Sequence, residues 1–142
     1  IKNRGGTTRA TTIRSALREY SDNEIEKFDV PVIVIDEYFS DTDLKKIFFV
    51  KIDVEGYELN VIKGMLKLIS LRELKYIQIE FNEMNISGRS FFRDFEDILS
   101  EYTPYRLLPD GGMLNIKSYP PHLKEIFAYQ NVIFKLNQDN EK

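Results

Sequence analysis

Residues 47–53 read IFFVKID, and residues 54–71 that follow read VEGYELNVIKGMLKLISL. The first stretch is short and almost wholly apolar, as a strand covered on both faces is in a parallel sheet. Gly56 breaks that pattern. From residue 57 to 71, Leu59, Ile62, Leu66 and Ile69 recur at spacings of three and four, which predicts an amphipathic helix. Glu55 and Glu58 fall in or near its first turn and Lys63 and Lys67 later, the order that suits a helix dipole. Residues 75–82, KYIQIEFN, then alternate Ile77, Ile79 and Phe81 with Tyr76, Gln78 and Glu80, a second strand. Strand, helix, strand in this order implies a right-handed crossover and parallel neighbours at 47–53 and 76–82.

Working outward, residues 28–35, FDVPVIVI, read as a strand, with Pro31 placing it at an edge or at a strand start. Asp36 to Phe39 leave it as a short helical turn ending near Leu44. Downstream, Phe91, Phe92, Phe95, Ile98, Leu99 and Tyr102 predict a second helix with Ser90 as its N-cap. Residues 105–108 and 113–116 flank Pro109-Asp110-Gly111-Gly112 and read as a hairpin. Residues 129–136, YQNVIFKL, form the last strand. Residues 1–27 are an irregular polar lead-in, in which Ile13, Leu17 and Tyr20 permit a short helix and the threonines an extended chain. Residues 137–142 are a tail expected to fray.

Length and composition fit one soluble domain: 142 residues, 42% hydrophobic and 30% charged. Twenty basic and twenty-three acidic residues leave a charge of −3, which speaks against a nucleic-acid binder driven by bulk charge. No apolar run approaches the ~20 residues of a membrane span, and no membrane partner is expected. Cysteine is absent, which excludes disulfides and thiolate chemistry and fits a cytoplasmic setting. The chain begins at Ile1 without a signal-peptide pattern, as a piece of a longer protein would. No G-x-G-x-x-G or G-x-x-x-x-G-K-[ST] run provides a nucleotide site, and a serine–histidine–acid triad would rest on His122 alone.

Ligands of open α/β sheets bind beyond the carboxyl ends of the strands. Asp53 and Glu55 follow one predicted strand, and Glu80 and Asn82 end the next, so neighbouring strands would bring them to one crevice. Gln130 and Asn131 open the last strand. Each has a bland alternative: Asp53 as a helix cap, Glu55 as a dipole partner, Glu80 as a solvent-facing strand residue, Gln130 and Asn131 as ordinary polar groups at a strand start. His122, in a Pro-Pro-His loop, reads as surface.

Residues 48–65, FFVKIDVEGYELNVIKGM, resemble the K-I-D-V-E-G-x-E-x-x-V-L-K-G signature of the FkbM family of S-adenosylmethionine-dependent methyltransferases. VPVIVIDEYF (30–39), YIQIEFN (76–82), YRLLPDG (105–111) and YQNVIFK (129–135) resemble further segments of that family, so the likeness covers roughly residues 28–136. The resemblance implies an α/β fold: a Rossmann-like methyltransferase sheet, here incomplete, the C-terminal half, mainly parallel with an antiparallel last strand. The family's D-x-G-A-x-x-G turn and its ribose-binding acid do not occur, so the chain is expected to bind S-adenosylmethionine weakly or not at all by itself. The implied reaction is O-methyl transfer to a hydroxyl of a sugar or other small molecule. Asp53 would serve as base or hold the methionine part of the cofactor. Glu55 and Glu80 would be further catalytic groups, and Asn82, Gln130 and Asn131 substrate contacts. Three carboxylates in one crevice would also suit Mg²⁺. The alternatives from other classes are a metal-dependent hydrolase using Asp53, Glu55 and Glu80, and a non-catalytic module associating, with itself as a homo-oligomer or with another chain, through an exposed edge beside residues 47–53.

Overall fold

The computed structural model describes residues 2–3, 25–26 and 28–138. Strands β1 (Lys2–Asn3) and β2 (Ile25–Glu26) pair antiparallel as a separate ribbon. The helix permitted around Ile13 and the tail from residue 139 lie outside the described residues. The main sheet has β3 (Phe49–Ile52), β4 (Tyr76–Phe81), β5 (Tyr102–Leu107), β6 (Met113–Asn115) and β7 (Gln130–Leu136), in the order β3-β4-β7-β5-β6.

β3 and β4 are parallel neighbours, with Val50 opposite Ile77 and Ile52 opposite Ile79, as the strand–helix–strand reading requires. The expectation of a mainly parallel sheet fails. The pairs β4–β7, β7–β5 and β5–β6 are all antiparallel. The cause is the placement of the last strand. β4 and β5 are each antiparallel to β7, so they run in the same direction, but β7 lies between them and turns every remaining contact antiparallel.

One face of the sheet is the core. Ile77, Ile79 and Phe81 of β4 and Val132, Phe134 and Leu136 of β7 point into it. Helices α3 (Glu58–Lys63), α4 (Leu66–Ser70) and α6 (Phe92–Ile98) supply Leu59, Ile62, Leu68, Phe92 and Phe95. Phe81 meets Phe92 edge-on at 5.5 Å and stacks on Phe127 at 5.2 Å. Burying aromatic rings of this size dominates the energetics of a small domain. The opposite face, with Lys51, Gln78, Glu80 and Asn131, is only half covered or exposed.

Three local expectations are corrected. Residues 28–34 form no strand. They pair with no described strand, and Val32 is 88% exposed. β-branched composition favours extended chain but supplies no hydrogen-bond partner. The turn that follows is real: α1 (Ile35–Tyr38) and α2 (Asp41–Leu44), the latter burying Leu44. Second, the helix over 57–71 is two helices, broken at Gly64 and Met65. The Asp36 carboxylate accepts from the backbone N–H of Lys67 (2.7 Å) and Leu68 (3.0 Å), starting α4 afresh from 31 residues upstream. Third, Ser90 does not cap α6. Asp94 accepts from Phe91 N–H (2.8 Å), and Glu125 accepts from the N–H groups of Phe92 (2.8 Å) and Arg93 (3.2 Å). These bonds satisfy donors that a helix start leaves free. Short helices α5 (Met84–Gly88) and α7 (Pro121–Lys124) complete the chain, and the predicted hairpin is β5–β6. No helix among the described residues is long and apolar enough to cross a membrane.

Candidate functional site

Because β3 and β4 run parallel in register, their carboxyl ends lie side by side. Asp53 leaves β3 next to Glu80 of β4, and both belong to the open face. The two side chains are hydrogen-bonded to each other, and Lys51 Nζ donates to Asp53 Oδ2 at 2.8 Å. The bond from Lys51, then that from Glu80, holds the Asp53 carboxyl below its ordinary range. Burial, then the bond and charge of Asp53, then the charge of Glu55, push Glu80 up to about 7. Below about pH 7 the proton therefore sits on Glu80 and the charge on Asp53, and above it Glu80 ionises as well. Two interacting carboxyls pushed apart in this way divide into a base form and an acid form.

Glu55 stands at the turn between β3 and α3 with φ +53°, followed by Gly56 at φ +102°. This double left-handed turn points the N–H groups of Val54 (3.2 Å) and Gly56 (3.1 Å) at the Glu58 carboxylate. Asn85 Nδ2 donates to the same carboxylate at 3.2 Å and to Ser90 Oγ at 3.1 Å. A Cβ on Gly88 would come within 2.0 Å of the Gly56 carbonyl oxygen, so the loop after β4 rests directly on the loop after β3. Glu58 is fully buried and is the residue that sequence reasoning missed as part of the site. Its signal was a second glutamate two positions after Gly56, able to reach back over the turn it follows.

The other candidates divide. Asn131 sits opposite Glu80 on the open face and accepts from Gln78 Nε2 at 2.9 Å. Asn82 is buried, its Oδ1 accepting from Met84 N–H at 2.7 Å. Gln130 is buried at the start of β7, accepting from Arg106 Nε and donating to the Ile126 carbonyl. Both are engaged inside the protein, and Asn82 also hydrogen-bonds Glu80, which works against the rise in that carboxyl's pKa. His122 is exposed on α7. Among the described residues no group of three or more His, Cys, Asp or Glu side chains is placed to hold a metal ion.

A family model described as the methyltransferase FkbM domain matches residues 2–106. The match takes in β3, β4, the helices between them and the whole acid pair, and ends inside β5, short of β7. No curated protein and no solved structure shows a match to the chain.

Proposed function

Because this chain belongs to the FkbM methyltransferase family, we propose that it is part of an enzyme carrying a methyl group from S-adenosylmethionine to a hydroxyl oxygen of a sugar or other small molecule. The observation that carries the reading is the Asp53–Glu80 pair at the carboxyl ends of the parallel strands. Three same-direction strands joined by helical crossovers, with an antiparallel strand inserted, suit the C-terminal half of a Rossmann-like methyltransferase sheet.

The residues present fit the methionine end of the cofactor and not its nucleoside end. Asp53 offers a partly exposed carboxylate to a cationic group, whereas the sequence has no glycine-rich turn of the D-x-G-A-x-x-G kind. When bound, S-adenosylmethionine supplies a methyl already activated on a sulfonium. The chain's own groups then have two tasks. Asp53 keeps its negative charge and, oriented by Lys51, holds positive charge at the strand ends. Glu80, once its proton has left to solvent, takes the proton of the acceptor hydroxyl. A carboxyl titrating near 7 is well matched to that task, and general-base help is worth about 10²–10⁴-fold. Asn131, opposite Glu80, is a further polar group beside the pair.

The test is methyl transfer from labelled S-adenosylmethionine by the full-length enzyme. Asp53→Asn and Glu80→Gln should each lower kcat by about 10²–10⁴-fold with little change in Tm, while His122→Ala stays near wild type. Fully active Asp53→Asn and Glu80→Gln enzymes would remove the acid pair from the reaction.

A further inference from the structure

On the helix-covered side of the same sheet end, the loop after β4 and the segment around α7 enclose a two-lobed cleft. One lobe, about 420 Å³, lies between Ile86, Arg89, Phe91 and Phe127. The other, about 360 Å³, shares Phe91 and Phe127 and is bounded by Arg93 and Pro121. Both are of a size that holds a small molecule. Ile86 (61% exposed) and Phe91 (46% exposed) turn apolar surface to the opening, and Phe127 is braced from behind by Phe81.

The charges around the cleft do not cancel. Its acids are engaged: Glu96 accepts from Lys124 Nζ at 2.7 Å, and Glu125 caps α6 with both oxygens. The arginines are not. The Arg93 guanidinium lies over the Phe91 ring at 5.4 Å, and neither it nor Arg89 forms an ion pair among the described residues. Arg89 moreover occupies a left-handed position, φ +55°, that ordinarily falls to glycine or asparagine.

We infer that this cleft seats the methyl acceptor, and that the acceptor is an anionic molecule with a flat apolar body, an aryl or polyene carboxylate carrying the hydroxyl, rather than a neutral sugar. The inference rests on the methyl-transfer reading for the word acceptor and goes further in naming its chemistry. The walls are mainly apolar rings, which desolvate a flat hydrocarbon body better than they suit a sugar's many hydroxyls. Two guanidinium groups at the rim that form no ion pair among the described residues suit a carboxylate, which they can bind in bidentate fashion. The cleft opens at the same end of the sheet as Asp53 and Glu80, because the loop that lines it leaves the carboxyl end of β4.

Binding can be read without cofactor or turnover, by amide chemical-shift titration of this chain with 4-hydroxybenzoate, 4-hydroxybenzyl alcohol and glucose. The expected result is saturable shifts at Arg89, Phe91 and Phe127 with 4-hydroxybenzoate, about tenfold weaker binding of the uncharged alcohol, and none of glucose. Arg89→Gly should weaken 4-hydroxybenzoate about tenfold without lowering Tm, since glycine is at ease at that φ, and Arg89→Lys should retain most of the affinity. Equal binding of acid and alcohol, undiminished binding by Arg89→Gly, glucose binding in the cleft, or no binding of 4-hydroxybenzoate would each overturn the proposal. A full-length enzyme that methylates a neutral sugar would defeat it while leaving methyl transfer standing.

Discussion

Ile77, Ile79 and Phe81 on one face of β4 and Gln78 and Glu80 on the other belong to a single strand, yet they answer to different pressures. The first three are wholly buried against helices and held by ring and aliphatic packing. The other two lie on the open face, where Glu80 keeps a proton against Asp53 and Gln78 bonds Asn131. The difference teaches that the strand's alternation separates stability from chemistry at one-residue intervals. The covered face sets where the strand ends lie, and the open face receives polar groups that the fold does not need. Between the two stands Glu58, a carboxylate that resembles the site acids in sequence and the core in burial.

That contrast can be broken most forcefully on the covered side. Phe81→Ala removes the ring that contacts Phe92, Phe95 and Phe127, and should cost about 3–5 kcal/mol by denaturant unfolding. Gln78→Ala, three residues away on the other face, should cost under about 1 kcal/mol. Similar losses for both would deny the division. Next in size, Glu58→Ala leaves the N–H groups of Val54 and Gly56 and the Asn85 amide without their acceptor. A loss of about 2–3 kcal/mol is expected, and a neutral result would move Glu58 out of the framework.

The smallest effect sharpens the open side. Glu80 titrates near 7 in the folded chain against an ordinary value of 4.5, so the folded state binds the extra proton between those limits. Stability should therefore fall as pH rises from about 4.5 to 7. The partial exposure of the pair keeps the change below about 1 kcal/mol. Glu80→Gln should flatten that slope in a series of Tm measurements across this range. The depressed Asp53 carboxyl works the other way, its contribution being lost as pH falls below its ordinary range.

Periodicity made the β3–β4 pair and the helices between and after them legible, because apolar spacing reports directly on a buried face. It also placed Asp53 and Glu80 together, since parallel neighbours must end side by side. What it could not convey was long-range partnership. The insertion of β7 between β4 and β5 is decided by packing across the whole sheet. The caps supplied by Asp36 to α4 and by Glu125 to α6 come from some thirty residues away, beyond any local signal. Residues 28–34 show the reverse error: strand propensity reads as a strand, but a strand is a relation between two segments and these have no described partner. Asn82 and Gln130 looked like free polar groups because their internal bonds, to Met84, Arg106 and Ile126, are made by the fold.

The central claim is that Asp53 and Glu80 share one proton below about pH 7, with the charge on Asp53. Carbon-detected NMR titration of the side-chain carboxyls reads this directly. Glu80 should titrate near 7, with Asp53 below its usual range, and Asp53→Asn should lower the Glu80 pKa in part, burial keeping it above its ordinary value. A Glu80 carboxyl that titrates near 4.5 in the unmodified chain, independent of Asp53, would contradict the account.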